Sequence, residues 1–167
     1  KVAFIIRLIY VIFIYFLNYE LYGTFHESNA GDIDFYIKTP LQFVGRLDEF
    51  EIISLWRSWD IPYDDMGYML YLLGLYIICS DFSTVVVPLL LKALFGALTC
   101  VFISRMATNH FGRSVGYMTG IFCALQFNMI WWCGSMMKET EMVFVMVWFI
   151  YEMDRVLSTG NLKLQNL

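Results

Sequence analysis

Met66 to Ser80 (MGYMLYLLGLYIICS) is the stretch whose reading decides how this chain is folded. It carries no charge, yet as a helix it extends only roughly 22 Å, short of the roughly 30 Å hydrocarbon core of a bilayer. If it crosses a membrane, its flanks lie on opposite sides. If it lies in the interface or re-enters from one face, they lie on the same side. The neighbouring segments answer through their charges. Val2 to Asn18 is apolar except for Arg7; Thr84 to Ser104 is interrupted only by Pro88 and Lys92 and ends at Arg105; Val115 to Cys133 has no charge at all. Met142 to about Leu157 is a weaker fourth run, with Glu152, Asp154 and Arg155 at its far end and Lys163 beyond. The basic groups Lys1, Arg7, Arg105 and Arg113 fall on one side, as cytoplasmic segments do, only if Met66 to Ser80 does not cross.

The expected architecture is therefore an all-α, polytopic membrane protein, a single transmembrane domain over residues 1–167. Spanning helices are expected at about 2–18, 84–105, 115–133 and 142–157. An outer loop covers 19–83, with juxtamembrane helices at about 46–59 and 66–80, and a small outer loop runs from Gly134 to Glu141. A signal peptide is the rival reading of Val2 to Asn18. The Arg inside the run and the lack of a small-x-small cleavage site before Tyr22-Gly23 favour a retained helix. The chain begins at Lys1 without Met and stops at Leu167 with no closing element, which suggests part of a longer protein.

Composition agrees with a membrane. Of the 167 residues 59% are hydrophobic and only 16% charged, against roughly 45–50% and 25% in soluble domains. In water a chain of this size would expose apolar patches large enough to aggregate. A net charge of −4 with scattered Lys and Arg excludes nucleic acid as a partner. The acids are concentrated instead: 11 of the 15 lie between Tyr19 and Ser83, against three bases there, Lys38, Arg46 and Arg57. That block faces water. The four cysteines, Cys79, Cys100, Cys123 and Cys133, occur singly in or beside apolar runs and read as small core hydrophobes.

Inside the large loop, Ile52, Leu55, Trp56 and Trp59 recur at helical spacing, while Asp48, Glu49, Glu51 and Arg57 point elsewhere. This is an amphipathic helix, suited to the headgroup layer or to the core of a small extramembrane lobe. Closer to the first helix, Asp32 and Asp34 precede Tyr36, and in a helix Asp32 and Tyr36 lie one turn apart. Either acid suits a general base at the membrane surface, and either equally suits a helix N-terminus with no catalytic role. Asp64 and Asp65 stand directly before Met66, where they would cap a helix, bind a cation or contact substrate. Lys138, Glu139, Thr140 and Glu141 form a polar group between two apolar runs, as an ordinary helix boundary also does. Lys92 lies two turns into an apolar run, which makes it a candidate site residue, with snorkelling to the interface as the alternative. Arg7, in the opposite leaflet, is expected to snorkel.

Several of these segments resemble the integral-membrane GT-C glycosyltransferases, in the branch that includes the protein O-mannosyltransferases and the lipid A aminoarabinose transferase. The carriers are Asp32-x-x-x-Tyr36, the segment Pro62 to Leu75, the run PLLLKALFGALTCVFISRMATNHFGRSVGYMTGIFCAL, then Trp131-Trp132-Cys133-Gly134-Ser135 and the Lys138 to Glu141 group. The resemblance implies an enzyme that moves a sugar, by inverting hexosyl or pentosyl transfer, from a polyprenyl-phosphate-linked donor to a lipid, glycan or protein acceptor. The reaction would lie on the non-cytoplasmic face, in a bacterial cell envelope the periplasmic face of the inner membrane. The family's first essential acid maps to Asp32, with Asp34 beside it, and its second to Glu139 or Glu141. Tyr36, Asp64, Asp65, Lys92 and Lys138 are the matching substrate-binding candidates, with Lys92 or Lys138 facing phosphate. Two departures stand out: Asp32 is followed by Ile33, and Asp64-Asp65 replaces a basic position common in relatives. The acids permit a divalent cation, but no ligand spacing demands one. Two other classes also fit the composition. One is a non-catalytic membrane subunit of a polysaccharide or lipid-glycan assembly or export system, and the other is a transporter, which predicts midplane charges in several helices.

Overall fold

The computed structural model describes residues 1–24, 31–44, 66–79 and 85–159. Among these, seven helices occur and no strand. The first apolar run forms α1 (Val2–Tyr22), four residues longer than expected, and ends where Gly23 takes φ 68° and donates its N–H to Tyr19 O at 2.9 Å. That left-handed cap is natural for glycine alone among the residues here. Gly31–Phe43 forms α2, and the short apolar stretch forms α3 (Met66–Ile78). The second run becomes α4 (Val86–Phe111). Pro88 does not break it, because it sits in the first turn, where an N–H has no intrahelical partner to lose.

α4 runs seven residues past Ser104. The basic connection expected at 105–114 therefore shrinks to a corner at Gly112, whose φ of 89° again needs a glycine. The third run is not one helix. It divides into α5 (Arg113–Leu125) and α6 (Phe127–Cys133), with Gln126 in extended conformation between them. The fourth element, α7 (Glu139–Thr159), begins three residues earlier than expected. Its first turn takes in Glu139, Thr140 and Glu141, so the loop expected to run to Glu141 ends at Lys138. The expected helix at about 46–59 lies outside the described residues.

α4 is the central helix. α7 runs parallel to it: Phe95 stacks on Phe144 (4.6 Å between ring centroids), Phe102 on Tyr151 (4.9 Å), and His110 Nε2 lies 2.7 Å from Asp154 Oδ1. α5 runs back along α4 through small residues. Ser104 donates its hydroxyl to Gly116 O at 2.8 Å, and Gly116 and Gly120 press against the Ser104 and Thr108 side chains. α1 is antiparallel to α4, because Arg7 lies beside Gly96 and Cys100 whereas Tyr10 and Ile14 lie beside Gly134, whose neighbour Cys133 reaches Lys92 O. The end of α1 and the start of α4 thus share one end of the bundle. α2 and α3 pack there, burying Ile33, Tyr36, Ile37, Met69, Leu72 and Tyr76 against Val11, Leu89 and Met136. Tyr22 and Val86 therefore stand at the same end of the bundle, and α3, at about 20 Å, packs there with α2.

α1 and α4 are long and apolar enough to cross a membrane. α1 leaves Ile5, Ile9, Ile12, Phe13 and Phe16 outward-facing. Such a stripe suits lipid and not water.

Arg7 does not snorkel. It is fully buried and joins three helices, donating Nη1 to Ala3 O (3.0 Å) and Ala124 O (3.3 Å) and Nη2 to Cys123 O (3.2 Å) and Cys100 Sγ (3.3 Å). Cys123 and Ala124 stand in the last turn of α5, whose carbonyls lose their partners because the helix breaks at Gln126. In apolar surroundings each such carbonyl costs free energy unless a donor reaches it. A cation at a helix C-terminus also complements the helix dipole. Arg7 is the donor that makes the break tolerable.

Candidate functional site

The candidate site lies at the end where α2 and α3 pack, between α3, α4 and the start of α7. Lys92 projects from the second turn of α4 and is fully enclosed. Its ammonium donates to Glu141 Oε2 at 2.6 Å and to Met137 O, and lies 5.4 Å from the centroid of the Tyr68 ring. Two acceptors and an aromatic face replace the water that the charge gives up. Lys92 is thus held inside the protein by Met137 and Glu141, which corrects the expectation that it snorkels to the interface.

Tyr68 extends the network. Its hydroxyl donates to Met136 O at 3.2 Å, and its ring meets Tyr36 of α2 edge-on, with centroids 5.1 Å apart. Burial, helped by the nearby Glu141 carboxyl, pushes the Tyr68 phenol well above its usual range, so it stays a donor. Tyr36 is buried in this contact while Asp32, one turn earlier, is exposed. The two do not form one functional face.

The acids of α2 fall outside the network. Asp32 and Asp34 occupy the first turn, where a carboxylate complements the helix dipole. Asp34 pairs with Lys38 at 2.6 Å in a largely exposed contact. Both acids nevertheless belong to the same end of the bundle as Glu139 and Glu141, since Ile33, between them, shares a small cavity with Gly134, Ser135 and Met136. Asp64 and Asp65 lie outside the described residues.

Beside the Lys92–Glu141 pair opens a groove of about 560 Å³. Phe95, Met142, Phe144, Val145 and Met146 form its apolar wall, Tyr68 and Tyr71 its α3 side, and Lys138 and Glu141 its polar end. On α3 and in the first turn of α7 five buried polar atoms have no hydrogen-bond partner among the described residues: Tyr71 Oη, Tyr76 Oη, Glu139 Oε2, Thr140 Oγ1 and Glu141 Oε1. Two of their side chains, Tyr71 and Glu141, line the groove. Buried polar atoms are almost always satisfied in native proteins, so the open pair on Tyr71 and Glu141 marks the polar end of this groove as the candidate site. Among the described residues, no three His, Cys, Asp or Glu side chains come together as metal ligands.

Sequence reasoning found Lys92, Lys138, Glu139 and Glu141 from their charge in apolar surroundings. It did not find Tyr68 and Tyr71, which look like ordinary interfacial tyrosines, nor Arg7 as a buried connector. The G-x-x-x-G at Gly116 and Gly120 was a legible signal for close packing of α4 on α5. Comparison with protein-family models, with curated proteins and with solved structures finds no match to this chain.

Proposed function

We propose that this chain forms the donor-binding end of a membrane glycosyltransferase, with four crossings made by α1, α4, α5 with α6, and α7. On this reading residues 23–85 and 134–138 lie on the non-cytoplasmic side, and the donor is a sugar on a polyprenyl phosphate. One observation carries the proposal: an apolar groove that ends in unsatisfied hydrogen-bonding atoms beside a cation. A polyprenyl-phosphate sugar has three matching parts. The isoprenoid suits Phe95, Phe144, Val145 and Met146; the phosphate suits Lys138; the sugar hydroxyls suit Tyr71 Oη and Glu141 Oε1.

Inverting transfer needs a base to take the acceptor proton as its oxygen attacks the anomeric carbon, typically a 10²–10⁴-fold contribution. Asp32, exposed at the same end, is assigned that role, and Lys138 stabilises the charge that develops on the departing phosphate. Lys92 acts indirectly, by holding Glu141 in place.

The test is photocrosslinking of the full-length protein, in lipid nanodiscs, with a diazirine-bearing polyprenyl phosphate. Label is expected within 142–146 and is competed by unlabelled polyprenyl phosphate but not by the phosphate-free polyprenol. Label spread over the outer face of α1, or competed equally by the alcohol, rejects the groove as the donor site. The exposure of Asp32 favours a second reading, a non-catalytic subunit that holds a lipid-linked glycan for a partner enzyme. Sugar transfer by the purified protein that Asp32→Asn lowers at least about 10²-fold rejects that second reading.

A further inference from the structure

The end of the bundle opposite the candidate site has a groove of its own, about 470 Å³, between α1, α4 and α5. Val2, Ile6, Val101, Ile121 and Leu125 give it apolar walls, and Lys1, Ser104, Arg105 and Tyr117 give it a polar mouth. We propose that this groove binds an anionic phospholipid of the inner leaflet, with the headgroup phosphate between Lys1 and Arg105 and one acyl chain along Ile121 and Leu125.

Charge complementarity carries the proposal. Lys1 and Arg105 come from different helices and converge on one opening, and among the described residues neither pairs with a carboxylate. The acids of α7 near this end are engaged elsewhere, Asp154 with His110 and Glu152 with Arg155. The mouth is therefore left net positive. Basic pockets between membrane helices attract anionic headgroups, each Lys or Arg adding about fivefold to affinity near a charged surface. The walls fit the rest of such a molecule, since Tyr117, Ile121 and Leu125 are all more than half exposed and offer apolar surface continuous with the groove. Its floor is held in place by Arg7, which bonds the backbone of Ala3 on one wall and Ala124 on the other. The inference rests on the membrane reading and not on glycosyl transfer.

The experiment is native mass spectrometry of the full-length protein, titrated with phosphatidylglycerol or with phosphatidylcholine of the same chains. Wild type is expected to retain phosphatidylglycerol preferentially. Arg105→Gln is expected to weaken that binding about fivefold, while Lys38→Gln, at the other end, leaves it unchanged. Ile121→Trp, which fills the groove without altering charge, is expected to abolish it. Equal retention of the two lipids, or wild-type binding by both Arg105→Gln and Ile121→Trp, overturns the proposal. Because the readout is bound lipid, it is independent of any loss of sugar transfer.

Discussion

Lys92 Nζ lies 2.6 Å from Glu141 Oε2, and the lysine side chain is wholly buried. The contact joins the second turn of α4 to the first turn of α7 and so fixes the polar end of the α3/α4/α7 groove. A buried pair of this kind is weak evidence for net stability, but removing one partner strands the other charge. Lys92→Met is therefore expected to destabilise the protein by about 3–5 kcal/mol, and Lys92→Met with Glu141→Gln to recover most of that loss in thermal melts. On the proposed function, a double variant that regains stability but not polyprenyl-phosphate crosslinking assigns the pair a role at the ligand as well as in the fold.

Arg7 bridges α1 to the broken end of α5, and its replacement exposes the break. Arg7→Met is expected to leave Cys123 O and Ala124 O unsatisfied, at about 1–3 kcal/mol each. Lysine, with three donors but no planar fork, restores only part of the loss. Protease resistance of purified protein checks the order, wild type above lysine above methionine. Equal resistance of all three would show that the carbonyls find other donors.

Gly116 has no room for a side chain. A Cβ there would collide with Thr108 Oγ1 and come within 2.9 Å of Ser104 O. Gly116→Ala is expected to cost about 1–3 kcal/mol through overpacking, and Thr108→Ala added to it to restore stability only in part, because the Ser104 carbonyl belongs to the backbone and cannot swing aside. Melting temperatures of the three proteins test this, and no loss in the single variant would show that α4 and α5 separate freely.

Topology can be read by labelling single cysteines in a cysteine-free background with an impermeant thiol reagent on intact cells. Thr140 is a poor probe because only 2% of it is exposed; Lys138 takes its place. Cysteines at Asn29 and Lys138 are expected to label from outside, and one at Asn109 only after permeabilisation. Labelling at Asn109 but not Lys138 would mean that α3 crosses the membrane.

The sequence by itself determined the helical class and the existence of long apolar segments, because a run such as Val2 to Asn18 has only one way to satisfy its backbone in an apolar medium. For Met66 to Ser80 charge was the only signal: the one-sided placement of Lys1, Arg105 and Arg113 requires that this stretch does not cross. The tertiary structure decided what the isolated charges do. A lone lysine or arginine in an apolar run carries the same local signal whether it snorkels or finds an acceptor, and the acceptors of Lys92 lie 45 and 49 residues away, at Met137 and Glu141. The break at Gln126 has no proline to announce it and depends on Arg7, more than a hundred residues earlier in the chain. Such pairings are set by which helices pack together, and that depends on side-chain volumes and on small residues such as Gly96, which lies against Arg7 and Cys133 and whose meaning appears only when those neighbours are in place.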